Sequence, residues 1–409
     1  MNPYYDLFWT SIVSGERKVA KVVKIGARDP ISVIFSNKLL IYILLFPFFK
    51  TSGFDYIAGL STICNAMLAL ECLFFGTILI FENRMSVFTK IVFILEVWIY
   101  FIAPCVSGYE QPSMFYFTGT IGLLSFFELG MSRKPEKLLD ATRKLFLLMI
   151  ILNAALLVFM PSGFQAQDGS NVYLFGLRTG FSLFIIPAVY FNLIIDKIHN
   201  KPSVITILTF VVGAFSLLNE RVATGLLEMG IIIALLIVPK KEIIAKKINF
   251  VLVAVLVFAV DLSMTVWGFQ NRIMNLVSLV FNKDITLSGR TLIWEKTMEK
   301  MASSPLAGVG KDATVQIGST FRPAHNQWLH VGLEGGYVAM VLFIFATLVT
   351  CFYLYKKKNR KWYAVCAIGI LSILVGSIAE IQTYVPFIYV VLVLPFLLEK
   401  YLNKSVSIK

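Results

Sequence analysis

Runs of about 20 apolar residues recur along nearly the whole of this chain, and each is long enough to cross a hydrocarbon core roughly 30 Å thick as an α-helix. The apolar residues come in long blocks rather than in alternation, so the period of a half-buried strand is missing. With 15% charged residues and a mean hydropathy of +0.78, the chain is too apolar to stay in water. The runs predict an all-α polytopic membrane protein of about twelve spans, at 31–49, 57–81, 91–107, 113–130, 145–160, 173–195, 203–219, 222–238, 248–268, 332–355, 362–380 and 384–400. Asn37 and Lys38 interrupt the first of them.

Positive charge predicts the orientation. Most of the 37 Lys and Arg residues fall before Leu39 or in 82–90, 131–144, 196–202, 239–247, 355–361 and 400–409, all on one side of a twelve-span chain. That side is expected to be cytoplasmic, with both termini inside. The net charge of +13 then reads as a topology signal and an attraction to anionic lipid, with no nucleic-acid partner. At the N-terminus, aromatic residues (Tyr4, Tyr5, Phe8, Trp9) precede a basic stretch, the reverse of a cleavable signal, and predict an interfacial helix. Cys64, Cys72, Cys105, Cys351 and Cys366 lie in or at the ends of spans and offer no disulfide framework or zinc spacing. Residues 1–409 read as one membrane domain with one inserted extracytoplasmic loop, 268–331, between spans 9 and 10.

That loop is where chemistry is expected. Ser288 is a suitable N-cap for a short amphipathic helix over 291–302, with Trp294, Met298 and Met301 at helical spacing, lying on the membrane surface. Arg290 then falls in the first turn, where the macrodipole favours an anion over a cation, so a bound phosphate would resolve the conflict; a surface arginine among headgroups is the plainer reading. Leu306-Ala307-Gly308-Val309-Gly310 suits a tight turn or close backbone packing and lacks the lysine of a phosphate-binding loop. His325, one of three histidines, sits just before a span and has the residue type of a general base, with a backbone-bonded histidine as the alternative.

Charged groups near the other span ends need partners as well. Arg221 lies in Asn219-Glu220-Arg221 between two spans, and Arg178 near the outer end of its run. Each is expected to pair or to bind something, Arg221 with Glu220 or Glu228 as the local option. Glu71, Glu96, Glu128 and Asp261 are either interhelical hydrogen-bonding groups or parts of a cavity. Glu380, followed by Gln382 and Tyr384, is placed to meet a sugar or a base. Asp284 and Asp312 are isolated, so no metal site is expected in the loop.

The order Ser288-Gly289-Arg290, Trp294, Pro305-Leu306-Ala307-Gly308-Val309-Gly310, His325-Asn326 and Leu333-Glu334-Gly335-Gly336 resembles the O-antigen ligase and O-antigen polymerase superfamily. The resemblance is sharp over about 286–340. It implies a GT-C-like glycosyltransferase of the bacterial plasma membrane that takes an undecaprenyl-diphosphate-linked oligosaccharide as donor at the outer face. It puts His325 in the role of base and Arg290 and Arg221 on the diphosphate. Arg322, Asn326, Arg178 and Glu380 are candidate substrate-binding residues beside them. The flanking Asn219-Glu220 departs from the family's serine-rich setting. The implied reaction is direct displacement with inversion at the anomeric carbon, without metal or cofactor. A polymerase of capsule, exopolysaccharide or O-antigen repeat units is the expectation, with a chain-length regulator and a flippase as partners; a ligase transferring to lipid A-core is the alternative. A twelve-span transporter would instead show paired interrupted helices with binding groups at the midplane.

Overall fold

The structure, a computed structural model, describes residues 29–109, 113–165, 170–267 and 290–402. The expected N-terminal interfacial helix, Ser288, Gly289, Asp284 and the first third of the long loop lie outside the described residues. Elsewhere helices start and stop where local chemistry dictates. Asn37 ends α1 (Pro30–Ser36), and its side chain accepts from the amides of Leu39 and Leu40 to cap α2 (Lys38–Leu45). The two axes meet at 91°, so the expected first run is a broken one. α3 (Leu60–Glu82) and α4 (Val87–Val97) follow, the latter continuing through a π-turn into α5 (Ala103–Ser107), and then α6 (Phe115–Arg133).

Two elements depart from the expected boundaries for visible reasons. α7 (Pro135–Phe159) starts well before residue 145, because Pro135 suits a first turn and Asp140 pairs along the helix with Arg143 at 3.1 Å and Lys144 at 2.7 Å. α8 (Gly180–His199) starts later than residue 173, because the chain before it forms a three-stranded antiparallel sheet: β1 (Phe164–Gln165), β2 (Asn171–Tyr173) and β3 (Gly176–Leu177), with Val172 opposite both Phe164 and Leu177. Next come α9 (Val204–Asn219), α10 (Ala223–Ile237), α11 (Lys241–Lys247), α12 (Phe250–Thr265), α13 (Arg290–Ala302), the hairpin β4 (Val315–Ile317) and β5 (Thr320–Arg322), then α14 (Gln327–Lys356), α15 (Tyr363–Gly376) and α16 (Phe387–Leu397). The described residues are thus mainly helical, with two small sheets among them on the loops.

Among the described residues five helices are long and apolar enough to cross a bilayer, or up to seven if each of two bent pairs counts as one span. α9, α12 and α15 are apolar but shorter, at 14 to 16 residues, which at 1.5 Å per residue falls short of the full core. The outward faces carry Leu70, Leu73, Phe81, Phe159, Val204, Leu252 and other exposed large apolar groups, as an integral membrane protein requires. Inside, α16 is buried on every side and packs on α6, α8 and α14. Phe387 at its start packs with tilted rings against Phe49 and Phe146, at 4.7 and 4.6 Å between ring centres.

α14 is not one continuous helix. Gly335 and Gly336 leave helical geometry, and the 305–310 loop is threaded into the break. Val309 and Gly310 donate their amides to the carbonyls of Leu333 and Glu334, and Tyr337 donates to Pro305. The Trp98 indole donates to the Gly335 carbonyl at 2.8 Å. Carbonyls freed by the break are therefore satisfied by the inserted loop and by α4's continuation. The two glycine motifs form one joint, in line with the close-packing reading, and the joint fixes the loop bearing His325 against the bundle.

Candidate active site

Arg178, Arg221, Arg290, Arg322, His325 and Glu380, from six separate stretches, line a single cavity of about 960 Å³. Arg178 comes from the turn between β3 and α8, and Arg221 from the tight connection between α9 and α10. Arg290 opens α13, Arg322 closes β5, His325 stands just before α14, and Glu380 follows α15. Ser170, Asn171, Thr179, Glu220, Thr224 and Thr320 complete the polar lining. Of the seven residues singled out in the sequence, six meet here.

Asn326 is the seventh, and it faces away. It is fully buried, accepts from the Leu329 amide as the N-cap of α14, and donates to Asp261 at 2.7 Å and to the Ile378 carbonyl at 3.1 Å. Its work is to tie α14 to α12 and to the chain after α15. That contact pins both neighbours of the cavity, His325 on one side and Glu380 on the other.

α13 sits against the protein rather than lying free on a surface. Ile293, Trp294, Thr297 and Met301 are buried along it, and Trp294 and Met298 cluster with Met264, Ala324 and Leu329. This packing holds Arg290 half-buried at the cavity wall. Burial pulls its guanidinium below the usual value, opposed by the charge of Glu380. A cation at a helix N-terminus and partly out of water is doubly disfavoured, and an anion in the cavity relieves both terms. Among the described residues none of the four arginines lies within ion-pairing distance of a carboxylate. Arg221 takes neither local option: Glu220 accepts from Asn219 at 3.1 Å, and Glu228 accepts from Gln382 at 2.9 Å.

His325 and Glu380 face each other. Nδ1 of His325 is buried without a hydrogen-bond partner and lies 3.8 Å from Oε1 of Glu380, too long for a hydrogen bond in this state. Glu380 is itself buried at 4% exposure, and its Oε1 is within 3.4 Å of the Ile381 amide. The backbone at His325 and at Arg221 adopts positive φ, +47° and +50°, a sparsely populated region for such side chains. Strain of this kind, of order 1 kcal/mol or more, persists only where the surroundings impose it and concentrates at functional sites.

Two of the intramembrane acids serve the scaffold. Glu128 accepts from the Ser86 amide at 2.7 Å and the Thr89 hydroxyl at 2.8 Å, and Asp261 holds Asn326. Neither these nor Glu71 and Glu96 line the cavity. Behind the site, Lys311 pairs with Glu334 at 2.8 Å, and His330 lies 3.0 Å from the same carboxylate. Although burial opposes it, Glu334 and Asp312 hold the Lys311 ammonium well above its ordinary pKa. Sequence reading left this buried triad out, since a lysine in a polar loop carries no sign of being enclosed.

Residues 204–344, which carry Arg221, Arg290, Arg322 and His325, match the profile of the O-antigen ligase family. The exopolysaccharide production protein ExoQ of Rhizobium meliloti is 26% identical over 199 residues, 43% of this chain and 45% of the relative. The middle third of the chain is thus similar to the O-antigen ligase family, and a stretch of it to an exopolysaccharide production protein. An uncharacterized protein of Haemophilus influenzae is 24% identical over 173 residues, 36% of this chain and 43% of the relative. The matches thus span a little under half the length of these curated relatives. No solved structure matches the chain. Arg178 and Glu380 lie outside the matched segment, so the cavity is completed by parts of the chain that the family profile does not reach.

Proposed function

We propose that the protein is a glycosyltransferase that polymerises lipid-linked polysaccharide repeat units, with the cavity of Arg178, Arg221, Arg290, Arg322, His325 and Glu380 as its active site. The convergence of these residues on one cavity carries the reading. The name of the R. meliloti relative favours exopolysaccharide over transfer to lipid A-core. The donor is an undecaprenyl-diphosphate-linked glycan. Arg290 and Arg221 hold its diphosphate through bidentate hydrogen bonds, and the first-turn amides of α13 share that anion. Arg178 and Arg322 contact the glycan or the second phosphate.

His325 is the base. A proton on Nδ1 directed at Glu380 leaves the Nε2 lone pair for the acceptor hydroxyl, so Glu380 orients the imidazole rather than binding sugar. As His325 takes the proton, the acceptor oxygen attacks the anomeric carbon from the face opposite the diphosphate. The bond to the phosphate oxygen breaks, configuration inverts, and the arginines stabilise the charge that develops on the leaving group. No metal takes part. In this reading the chain makes twelve spans in one domain, both termini are cytoplasmic, and 268–331 lies outside the plasma membrane, where a flippase delivers the donor and a chain-length regulator acts.

The test is elongation by purified full-length protein in nanodiscs, supplied with a lipid-linked repeat unit alone or with lipid A-core as acceptor. Ladder formation from repeat units alone, unaffected by EDTA, is expected. Transfer only to lipid A-core makes the protein a ligase, and loss on chelation reversed by a divalent ion removes the metal-free mechanism.

A further inference from the structure

At the far end of α10 from the cavity the chain turns by 105° into α11, which runs across the bundle end and packs on α15. Between them is a slot of about 120 Å³, lined by Leu235, Ile244, Phe250, Val253, Ala367 and Leu371 among others, with the Lys241 stem as its charged contributor. Such an apolar cleft stays dry and accepts hydrocarbon rather than water. Ile243 and Ile244 on α11 and Ile248 just past its end are exposed, as a helix lying in a membrane interface requires. Tyr363 donates to the Ala245 carbonyl at 3.3 Å and holds α11 over the slot.

Charge surrounds this slot. In the chain, Lys240 precedes the lining residue Lys241, Lys246 and Lys247 stand between the lining residues Ala245 and Ile248, and Lys361 stands two residues before the lining residue Tyr363. Among the described residues these four make no ion pair, whereas nearby Lys197 pairs with Glu242, and Lys357 and Arg360 with Glu399. An apolar cleft with four lysines beside its lining residues in the chain complements one kind of molecule, with an acyl chain below and an anionic headgroup above. We infer that this slot binds an anionic phospholipid, inserting a length of one acyl chain under α11 while Lys240, Lys246, Lys247 and Lys361 hold the headgroup phosphate.

The probes are dioleoyl phosphatidylglycerol and dioleoyl phosphatidylcholine, added to delipidated full-length protein in detergent and read by native mass spectrometry. One phosphatidylglycerol is expected to be retained about tenfold more tightly than phosphatidylcholine, since only the former offers the lysines a headgroup of net negative charge. The surface variant K240Q/K246Q/K247Q is expected to lose that preference. K90Q/K134Q/K201Q removes the same charge from exposed positions elsewhere and is expected to keep it. Equal retention of the two lipids by the wild type overturns the site. So does a preference that survives in the first variant, or one that is lost equally in both, which marks bulk attraction without a slot. Filling the slot by Ala367→Leu is expected to lower phosphatidylglycerol retention with the lysines intact, and unchanged retention in a folded variant overturns the acyl-chain contact.

Discussion

His325 holds φ at +47° with Nδ1 turned to Glu380, so its substitutions have to be chosen with the backbone in mind. Asparagine tolerates that region best among non-glycine residues, and His325→Asn removes the base with least strain. Elongation by His325→Asn is expected to fall about 10²- to 10⁴-fold while binding of a lipid-linked donor is kept, as befits a lost general base. Glu380→Gln is expected to lose less in rate and to shift the pH profile, because an amide cannot stabilise the imidazolium; Glu380→Asp should recover part of the activity. A wild-type rate in His325→Asn ends the assignment. Arg290→Lys is expected to weaken donor binding and rate together, since an ammonium cannot make the bidentate contact. The arginines and His325 were legible in the sequence because an unpaired cation at a membrane face is costly and asks for a partner. Asn326 misled for the opposite reason: an N-cap and a ligand-binding asparagine look alike until the helix start is seen.

At the scale of elements, the joint between 305–310 and the break in α14 decides where the site loop sits. A Cβ on Gly308, at φ +68°, would lie 2.6 Å from the Glu334 carbonyl carbon, and one on Gly336, at φ +72°, would lie 2.2 Å from the Leu306 carbonyl. Both clashes are with backbone, which cannot step aside as a flexible side chain can. Gly308→Ala and Gly336→Ala are each expected to lower the thermal midpoint in detergent and to reduce elongation even where folded protein remains. Gly230→Ala, on a helix with nothing within 4 Å of the added carbon, is expected to be neutral or to stabilise by up to about 1 kcal/mol. Equal effects at all three positions would show that the joint imposes no constraint. The sequence marked both glycine motifs but not that they interlock, because the interlock is made of backbone hydrogen bonds between stretches that no spacing rule connects. The sheet over 164–177 was hidden likewise: Val172 to Phe175 are apolar enough to extend the helical run that follows, and tertiary pairing with the strand before them overrides it.

For the whole molecule, the positive segments that predicted orientation meet in space. Arg133 pairs with Glu82 and, at 3.0 Å, with Asp29; Lys400 donates to the Arg84 carbonyl; Lys197 pairs with Glu242. Segments far apart in sequence thus share contacts, and labelling can test whether they lie on one cytoplasmic face as the charge pattern predicts. The described part of the long loop, 290–331, contributes Arg290, Ile317, Thr320, Arg322 and His325 to the cavity instead, and in the proposed reading a donor on the outer leaflet can reach it only if that loop is outside. Ser319, at the exposed tip of the β4–β5 hairpin, and Asn359, in the exposed turn before α15, are suitable reporters in a background without the five native cysteines. Ser319→Cys is expected to react with an impermeant maleimide on intact cells, and Asn359→Cys only after permeabilisation. The reverse pattern would invert the protein and close the cavity to an outer-leaflet donor. Labelling of both on intact cells would leave the two positions on the same side and break the odd number of crossings that the chain between them has to make.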